Sequence, residues 1–265
     1  MKIIAIMILA FSLSFAKVYY SKVEPYEIRD ISSNVLGLVL FIDEDMIGKK
    51  LGPKSYIHID DEIDVKELGF IKDKLKYLQD IVKVNEDVLV NLENSIHRKR
   101  ENYKKIQELK FKSTVEKDRE FHELITSENQ YLNTQKEILN LKVQIADLKL
   151  RQARLLRDVK DKNLKNEGFI LYDILVKTGQ VVNISTPLAK VADISKAKLS
   201  IYLDESDVVS AKDKVVYING EKTAYKISRL LKIADAKNIS KYLAQIIIDS
   251  PKLFSKLATV ELKDN

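Results

Sequence analysis

The side chains that most often carry chemistry are few and scattered in this sequence. The three histidines are His58, His97 and His122, and the chain has no cysteine. Without cysteine there is no thiolate nucleophile, disulfide or thiolate metal site. No serine can be combined with a histidine and an aspartate into a catalytic triad. The residue types therefore predict a protein that is not an enzyme.

Two acidic clusters are the remaining candidates for metal ligation, Asp60-Asp61-Glu62 and Asp204-Glu205. Both are more typical of turns and strand ends than of a ligand set. Only three methionines occur, at positions 1, 7 and 46, so a thioether relay for soft metals is not supported. No glycine-rich phosphate-binding loop is present. We predict neither a metal site nor a cofactor.

The distribution of glycine and proline indicates where the long elements lie. The 265 residues include 7 Gly and 4 Pro, well below the average usage of roughly 7% and 5%. None falls between Gly69 and Gly168. Because these residues mark turns, the uninterrupted block predicts long helix rather than sheet or loop.

Two heptad seams run through this block. Apolar residues at alternating steps of three and four are typical of a coiled coil. Near Ser113 and Thr114 the first seam has faded and the second has not begun, and either residue can cap a returning helix. The pattern favours two antiparallel helices, roughly 71–111 and 115–162, over one continuous rod. The seams are Ile71, Leu75, Leu78, Val82, Asn85, Leu89, Leu92 and Ile96, then Ile138, Leu141, Ile145, Leu148, Gln152, Leu155 and Val159.

The N-terminus has the pattern of an export signal. Lys2 is followed by an apolar run over 3–11, and small residues stand at Ser14 and Ala16. This pattern predicts a signal peptide cleaved after Ala16; a buried N-terminal element or an uncleaved anchor are the alternatives. The net charge of +6 is spread with both signs interspersed, which indicates a solvated surface rather than a nucleic-acid site.

Short β-like runs occupy both sides of the helical block. A helical hairpin would return the chain to its starting point, so the runs on the two sides could pair. They cover 28–31, 35–42 and 56–59 before the block, and 169–176, 187–191, 199–203, 214–218, 224–230 and 242–248 after it.

This order of segments resembles the bacterial membrane fusion proteins, the HlyD-like periplasmic adaptors of tripartite efflux and secretion systems. The most specific stretch is 168–193, which is similar to the family's second lipoyl half. Residues 35–39 resemble the matching strand of the first half, and 198–210 resemble the start of the family's β-barrel. The resemblance implies an α+β fold. In the implied fold, a long antiparallel coiled-coil α-hairpin is inserted between two halves of a lipoyl-like β-sandwich, and a β-barrel-like domain follows.

The resemblance also divides the chain into segments. The lipoyl-half turns are expected at Gly37, Gly168, Gly179 and Pro187. No Asp-Lys-Ala motif lies in either half, so no covalent lipoyl cofactor is expected. The expected segments are 1–16 as signal peptide, 17–66 as N-terminal strand and first lipoyl half, 67–165 as hairpin, 166–196 as second lipoyl half and 197–265 as β-barrel-like domain.

A docking site at the hairpin tip is a further implication. The family carries a loose Arg-x3-Leu-x6-Ser pattern there, which docks on a TolC-like outer-membrane channel. In this chain Lys105 stands at the Arg position, Leu109 matches, and Glu116 stands at the Ser position. From 98 to 120, nine Lys/Arg and five Asp/Glu leave a local charge of +4. We expect Leu109 and Phe111 to be exposed and Leu109 to enter a channel groove; a solvated helix face with a weak turn is the alternative.

The expected function is that of a periplasmic adaptor without catalytic activity. It would bridge an inner-membrane pump, RND-type (proton-driven) or ABC-type (ATP-driven), and a TolC-like channel, as a homo-oligomeric ring with no nucleic-acid partner. The alternative is a structural coiled-coil protein of the envelope without a transport role. In that protein the β-like segments 17–66 and 168–196 would fold separately.

Overall fold

Two long helices dominate the molecule, for which a computed structural model describes residues 17–234 and 241–264. Helix α1 spans Glu62–Glu108 and α2 spans Thr114–Lys162. At 1.5 Å per residue each is about 70 Å long. The predicted helical hairpin is confirmed. The signal peptide predicted at 1–16 lies outside the described residues.

Helix α1 begins earlier than the seam indicated, at Glu62 instead of near residue 71. Its start is stabilised by acidic side chains. The Glu62 backbone N–H donates to Asp60 Oδ1 at 3.2 Å, and Glu62 and Asp64 lie in the first turn, where the helix dipole favours negative charge. The expectation of a start near 71 was wrong because it relied on the buried seam, and the helix has no buried position before Ile71.

The two predicted seams pack against each other. Glu86 accepts a hydrogen bond from Lys142 at 3.1 Å, and Arg100 donates to Glu128 at 2.6 Å, which sets the register of the hairpin. Asn85 lies in the seam, and its amide nitrogen is buried without a partner among the described residues. The buried positions are Ile71, Leu75, Leu78, Val82 and Ile96 from α1, and Leu124, Ser127, Ile138 and Leu141 from α2.

Thirteen strands, a short α-helix and two single-turn 3-10 helices, Glu44–Met46 and Ala211–Asp213, complete the described structure. The strands and the α-helix are β1 (Val18–Lys22), β2 (Glu24–Ser32), β3 (Gly37–Ile42), β4 (Ile57–Ile59), β5 (Asn163–Leu164), β6 (Ile170–Ile174), β7 (Val181–Val182), β8 (Pro187–Leu203), α3 (Glu205–Val208), β9 (Val215–Ile218), β10 (Glu221–Lys222), β11 (Ile227–Ala234), β12 (Tyr242–Asp249) and β13 (Leu257–Lys263).

The strands form three sheets, in the orders β5-β4-β3-β7, β11-β12-β8-β2 and β1-β13-β9-β10, with β6 also paired to β8. Strand β8 is 17 residues long and runs through the position 196/197 where the sequence analysis placed a domain boundary. It pairs with β2 and β6 along its first half and with β12 along its second. One continuous strand therefore connects two β-modules.

The first β-module, here called the base module, is built from residues 31–59 and 163–191 at the foot of the hairpin. Strand β4 pairs with β5, and β3 with β7, so both sheet contacts join segments that lie on opposite sides of the hairpin in the sequence. Its core is likewise shared. The fully buried members include Val39, Ile57 and Ile59 before the hairpin and Leu171, Val182 and Leu188 after it.

The second β-module, here called the terminal module, comprises residues 17–23 and 197–263. Its core includes Leu199, Ile201, Leu203, Ile246 and Val260, all fully buried. Strand β1 pairs antiparallel with β13, so the N-terminal strand lies in this module and closes its sheet at one edge. An N-terminal strand was expected within 17–66 without narrower bounds, whereas β13 was not among the runs that the sequence pattern indicated.

A hydrogen bond between Tyr19 and Asp207 makes the terminal module sensitive to acid. The Tyr19 hydroxyl donates to the Asp207 carboxylate, which lowers the pKa of Asp207. The pKa of Asp207 in the folded protein therefore lies below the ordinary carboxyl value of about 3.9. The hydrogen bond to ionised Asp207 stabilises the fold fully above that ordinary value. This stabilisation is lost as the pH falls through the lowered pKa.

Tyr19→Phe should therefore reduce the loss of stability on acidification, measured as the difference in denaturation midpoint between about pH 7 and about pH 3. Tyr20→Phe is the matched control, because Tyr20 lies on the same strand with its side chain exposed. Equal pH dependence in the two variants would contradict this assignment.

Candidate functional site at the hairpin tip

The tip is a five-residue connection closed by a capping box. Helix α1 ends at Glu108, and the N–H of Leu109 bonds to the Ile106 carbonyl. Ser113 is the N-cap of α2: its Oγ accepts from the Glu116 N–H at 3.3 Å, while the Ser113 N–H donates to Glu116 Oε2 at 3.0 Å. This reciprocal pair satisfies two backbone donors at the start of α2.

The Glu116 carboxylate is engaged within the tip. Lys112 Nζ donates to Glu116 Oε1 at 3.0 Å, and the Ser113 hydroxyl donates to Oε2 at 3.1 Å. The hydrogen bonds from Lys112 and Ser113 lower the pKa of Glu116 to about 2. The side chain expected at the family's Ser position therefore holds the turn together and stays ionised at neutral pH.

The two helix ends are also tied to each other. Lys117 Nζ donates to the Gln107 carbonyl at 3.0 Å, across the tip from α2 to the last turn of α1. Gln107 Nε2 in turn donates to the Tyr103 hydroxyl at 2.7 Å. The Tyr103 ring packs on Phe121 of α2 with 5.6 Å between ring centroids. These contacts connect the last turn of α1 with the first turns of α2 beside the tip.

Phe111 and Val115 are the most exposed apolar side chains of the tip, at 79% and 77%. Leu109, at the matching position of the family pattern, is half-buried, and Lys105 is exposed. Val115 was missed by the sequence analysis. The sequence did contain a signal for this residue. Val115 lies two residues after the N-cap Ser113, and it is not one of the apolar positions of the second seam.

The tip also carries free positive charge. Within residues 17–234 and 241–264, neither Lys105 nor Lys110 forms an ion pair, whereas Lys112 is neutralised by Glu116. The exposed surface of the tip thus combines two apolar side chains with unpaired lysines. Such a surface can pack into an apolar groove whose rim is acidic or lined with carbonyl groups.

His58 and the two acidic clusters lie apart from the tip surface, whereas the His122 ring lies 6.0 Å from that of Phe121. His58 Nε2 lies 3.1 Å from Asp61 Oδ1 at the foot of the hairpin. In the part of the chain that the structure describes, no three His, Asp or Glu side chains are grouped as metal ligands. Over the same ranges, no helix has both the length and the apolar composition of a membrane span.

Comparison with solved structures places this architecture among known folds. No protein-family model matches the sequence, and no curated protein is similar to it. MacA from Actinobacillus actinomycetemcomitans superposes with a TM-score of 0.68 at 16% identity, over 93% of this chain and 78% of MacA. The membrane fusion protein Spr0693 from Streptococcus pneumoniae R6 has a TM-score of 0.53 at 9% identity, over 94% of this chain and 100% of Spr0693. The chain has the membrane fusion protein fold.

A MacA–MexA chimera that contains the α-hairpin domain of Pseudomonas aeruginosa MexA is similar as well. Its TM-score is 0.62 at 15% identity, over 94% of this chain and 82% of the chimera. The resemblance noted in the sequence is therefore confirmed at the level of fold, and the identities of 9–16% extend it no further.

Of the four residues expected at lipoyl-half turns, two lie in turns and two lie at the first positions of strands. Gly168 and Gly179 lie in turns with φ of 92° and 85°, a conformation that favours glycine. Gly37 and Pro187 instead begin strands β3 and β8. Gly37 pairs with Val182 across the two sides of the base module, where its missing side chain leaves room for Ile59.

Proposed function

We propose that this chain is a periplasmic adaptor that bridges an inner-membrane transporter and a TolC-like outer-membrane channel. The observation that carries the proposal is the hairpin itself. It projects a basic tip with exposed Phe111 and Val115 about 70 Å from the β-modules. A rigid spacer with a docking surface at its far end suits a bridging role and requires no catalytic chemistry.

The two ends of the molecule receive different partners in this proposal. The hairpin tip meets the channel, and the terminal module faces an RND-type or ABC-type pump. Several copies assemble into a ring in the periplasm, after removal of a signal peptide at Ala16. Export of the chain would keep it away from nucleic acid despite its net charge of +6.

The alternative of a structural coiled-coil protein is less well supported. That protein needs no contact between the β-segments before and after the hairpin. Here the base-module core is made from both, and strands β3 and β4 pair with β7 and β5. Bringing these halves together at the foot of the hairpin orients the hairpin as a unit, which an adaptor needs and a free coiled coil does not.

Phe111→Asp combined with Val115→Asp should abolish recruitment of the channel. An acidic side chain at each exposed apolar position removes the buried contact and opposes the acidic or carbonyl rim that the lysines would meet. The measurement is a crosslinked pull-down from envelope that quantifies both the channel and the pump. We expect the channel signal to fall by at least about tenfold, the equivalent of about 1.4 kcal/mol, while the pump signal is retained.

Val90→Asp is the matched control, because Val90 is an exposed valine on the outer face of α1, away from the tip. Leu109→Asp tests whether the half-buried leucine contributes as well. Unchanged channel recovery in the Phe111/Val115 double variant would contradict tip docking, and recovery of neither partner by the unmodified chain would contradict the adaptor role.

A further inference from the structure

A polar cavity of about 240 Å³ lies at the foot of the hairpin, where α2 ends and the chain enters the base module. Both sides of the hairpin contribute to it. Ser32 and Asn34 come from the end of β2 and the bend that follows, and Asn163 and Asn166 come from the residues just after α2. We call it the foot cavity. Pockets for drug-sized ligands measure roughly 300–1,000 Å³, so the foot cavity suits a smaller group, such as a single sugar ring.

The side-chain amide of Asn163, the first residue after α2, is fixed in one orientation. Its Nδ2 donates to Asp61 Oδ2 at 2.6 Å and to the Val159 carbonyl at 2.9 Å. Both partners are acceptors, so turning the amide over would bring its own oxygen against two other oxygens. Asn163 Oδ1 is thereby left as an acceptor on the foot cavity, and no described residue donates to it.

The side-chain amide of Asn166 is fixed in the opposite sense. The Tyr56 hydroxyl donates to Asn166 Oδ1 at 2.7 Å, and Tyr56 is only 1% exposed. Burial raises the pKa of Tyr56, so its hydroxyl keeps the proton that it donates. Asn166 itself has a φ of 36°, a left-handed conformation that asparagine adopts more readily than most residues. Its Nδ2 is left as a donor, and it has no acceptor among residues 17–234 and 241–264.

An acceptor and a donor held in this way complement a secondary amide. The N–H of such an amide can donate to Asn163 Oδ1, while its carbonyl oxygen accepts from Asn166 Nδ2. Ile31 and Leu164 supply apolar lining for a methyl group beside that amide. An acetamido group has all three features. Because the protein has already oriented both asparagines, binding does not have to order them, which favours affinity.

The charges around the foot cavity favour an anionic ligand. Lys160 and Lys165 line it, both are exposed, and neither forms an ion pair with any residue that the structure describes. Asp161, which also lines it, is already paired with Arg157 at 2.8 Å. The two free ammonium groups can therefore pair with a carboxylate that the ligand carries next to its acetamido group.

We infer that the foot cavity binds an N-acetylated amino sugar that carries a carboxylate, which is the chemistry of the bacterial cell-wall glycan. The hydroxyl of Ser32 and the amide of Asn34 provide further hydrogen-bonding groups for the ring hydroxyls. A peptide also offers secondary amides, but it is recognised along an extended groove or sheet edge, and the volume of the foot cavity leaves no room for residues on both sides. The site adds a contact with the cell wall to the proposed adaptor role.

Calorimetric titration of the purified chain with single sugars tests the inference. Glucose, which has a hydroxyl in place of the acetamido group, should bind at least about tenfold more weakly than N-acetylglucosamine. N-acetylmuramic acid, which adds a carboxylate, should bind about three- to fivefold more tightly than N-acetylglucosamine. Equal binding of glucose and N-acetylglucosamine, or binding of neither acetylated sugar, would overturn the inference. N-acetylalanine has the acetamido group and the carboxylate without the ring, and if it bound as tightly as N-acetylmuramic acid, the assignment to a glycan would be wrong.

Asn166→Asp separates recognition from stability. Aspartate keeps the oxygen that accepts from Tyr56 and tolerates the left-handed conformation, but it replaces the free donor by an acceptor. Binding of N-acetylglucosamine should fall by at least about tenfold, while the circular dichroism signal is retained. Asn140→Asp is the matched control, because it adds the same charge at an exposed position of α2 away from the foot cavity. Equal weakening in the two variants would contradict the site.

Lys160→Gln with Lys165→Gln tests the role of charge. The double variant should lose the preference for N-acetylmuramic acid and bind N-acetylglucosamine as the unmodified chain does. A double variant that keeps the preference would show that the two lysines do not contact the carboxylate and would overturn that part of the inference.

Sedimentation with purified peptidoglycan sacculi tests the source of the sugar. The unmodified chain should sediment with the sacculi, and the Asn166→Asp variant should stay in solution. A chain that does not sediment with sacculi would overturn the cell-wall assignment. These measurements involve neither pump nor channel, so their outcome is independent of channel recruitment by the hairpin tip.

Discussion

Replacing Gly37 by alanine should destabilise the base module by about 1–3 kcal/mol, the usual cost of forcing an extra group into a packed core. A Cβ at this position would lie 2.5 Å from Ile59 Cγ2, closer than real atoms approach. Ile59 is fully buried in the core that the two sides of the module share, so its side chain cannot move aside without displacing other core residues. The clash would therefore separate β3 from its neighbours.

Gly69→Ala is the matched control and should act in the opposite direction. Gly69 lies inside α1, and a Cβ there meets nothing within 4 Å. Alanine at an exposed helical glycine should stabilise the helix by about 0.5–1 kcal/mol. Urea denaturation followed by circular dichroism measures both variants. A Gly37→Ala midpoint equal to that of the unmodified chain would show that the base module is packed less tightly than we describe.

Asp64→Asn should loosen the foot of the hairpin by about 1–3 kcal/mol. The Asp64 carboxylate pairs with Lys162 Nζ and joins the first turn of α1 to the last residue of α2. Both side chains are mostly buried, with exposures of 21% and 14%. Neutralising Asp64 leaves the lysine charge partly buried without its partner, which costs more than the loss of a solvated pair.

Glu62→Gln separates this effect from a change in the helix dipole. Glu62 occupies the same first turn, so its interaction with the dipole is similar, but its pair with Lys66 is solvated at both ends. The control should change stability by no more than about 0.5 kcal/mol. Thermal unfolding and amide exchange at the hairpin foot give the comparison. Equal losses in the two variants would show that Asp64 acts through the dipole alone.

The hairpin was predictable because its determinants lie close together along the chain. Steps of three and four residues bring Ile71 to Ile96 onto one face of α1, and Ile138 to Val159 onto one face of α2. The interruption near Ser113 marked the turn, and a capping box forms there. Most β-runs were also predictable from local sequence. A short apolar run between turn residues indicates a strand, whichever strand it pairs with.

The tip shows how much a family pattern alone can determine. Residues 105–116, which the pattern covers, include the connection 109–113 between α1 and α2, and docking at this turn stays a prediction. The pattern did not determine which side chains are presented. Glu116 is held by Lys112 and Ser113, Leu109 is half-buried, and Phe111 and Val115 extend into solvent. The exposure of each side chain depends on how the chain folds back at the turn. The spacing between Lys105, Leu109 and Glu116 does not specify that conformation.

The sequence by itself therefore determined the two helices, their seams and most strands, all of which depend on neighbours a few residues apart. Tertiary structure decided which strands meet. The pairing of β3 with β7 and of β1 with β13 joins segments more than 100 residues apart, and the continuity of β8 links the two modules. Such contacts depend on the surface that each segment buries when the hairpin brings its ends together, and no local pattern carries that information.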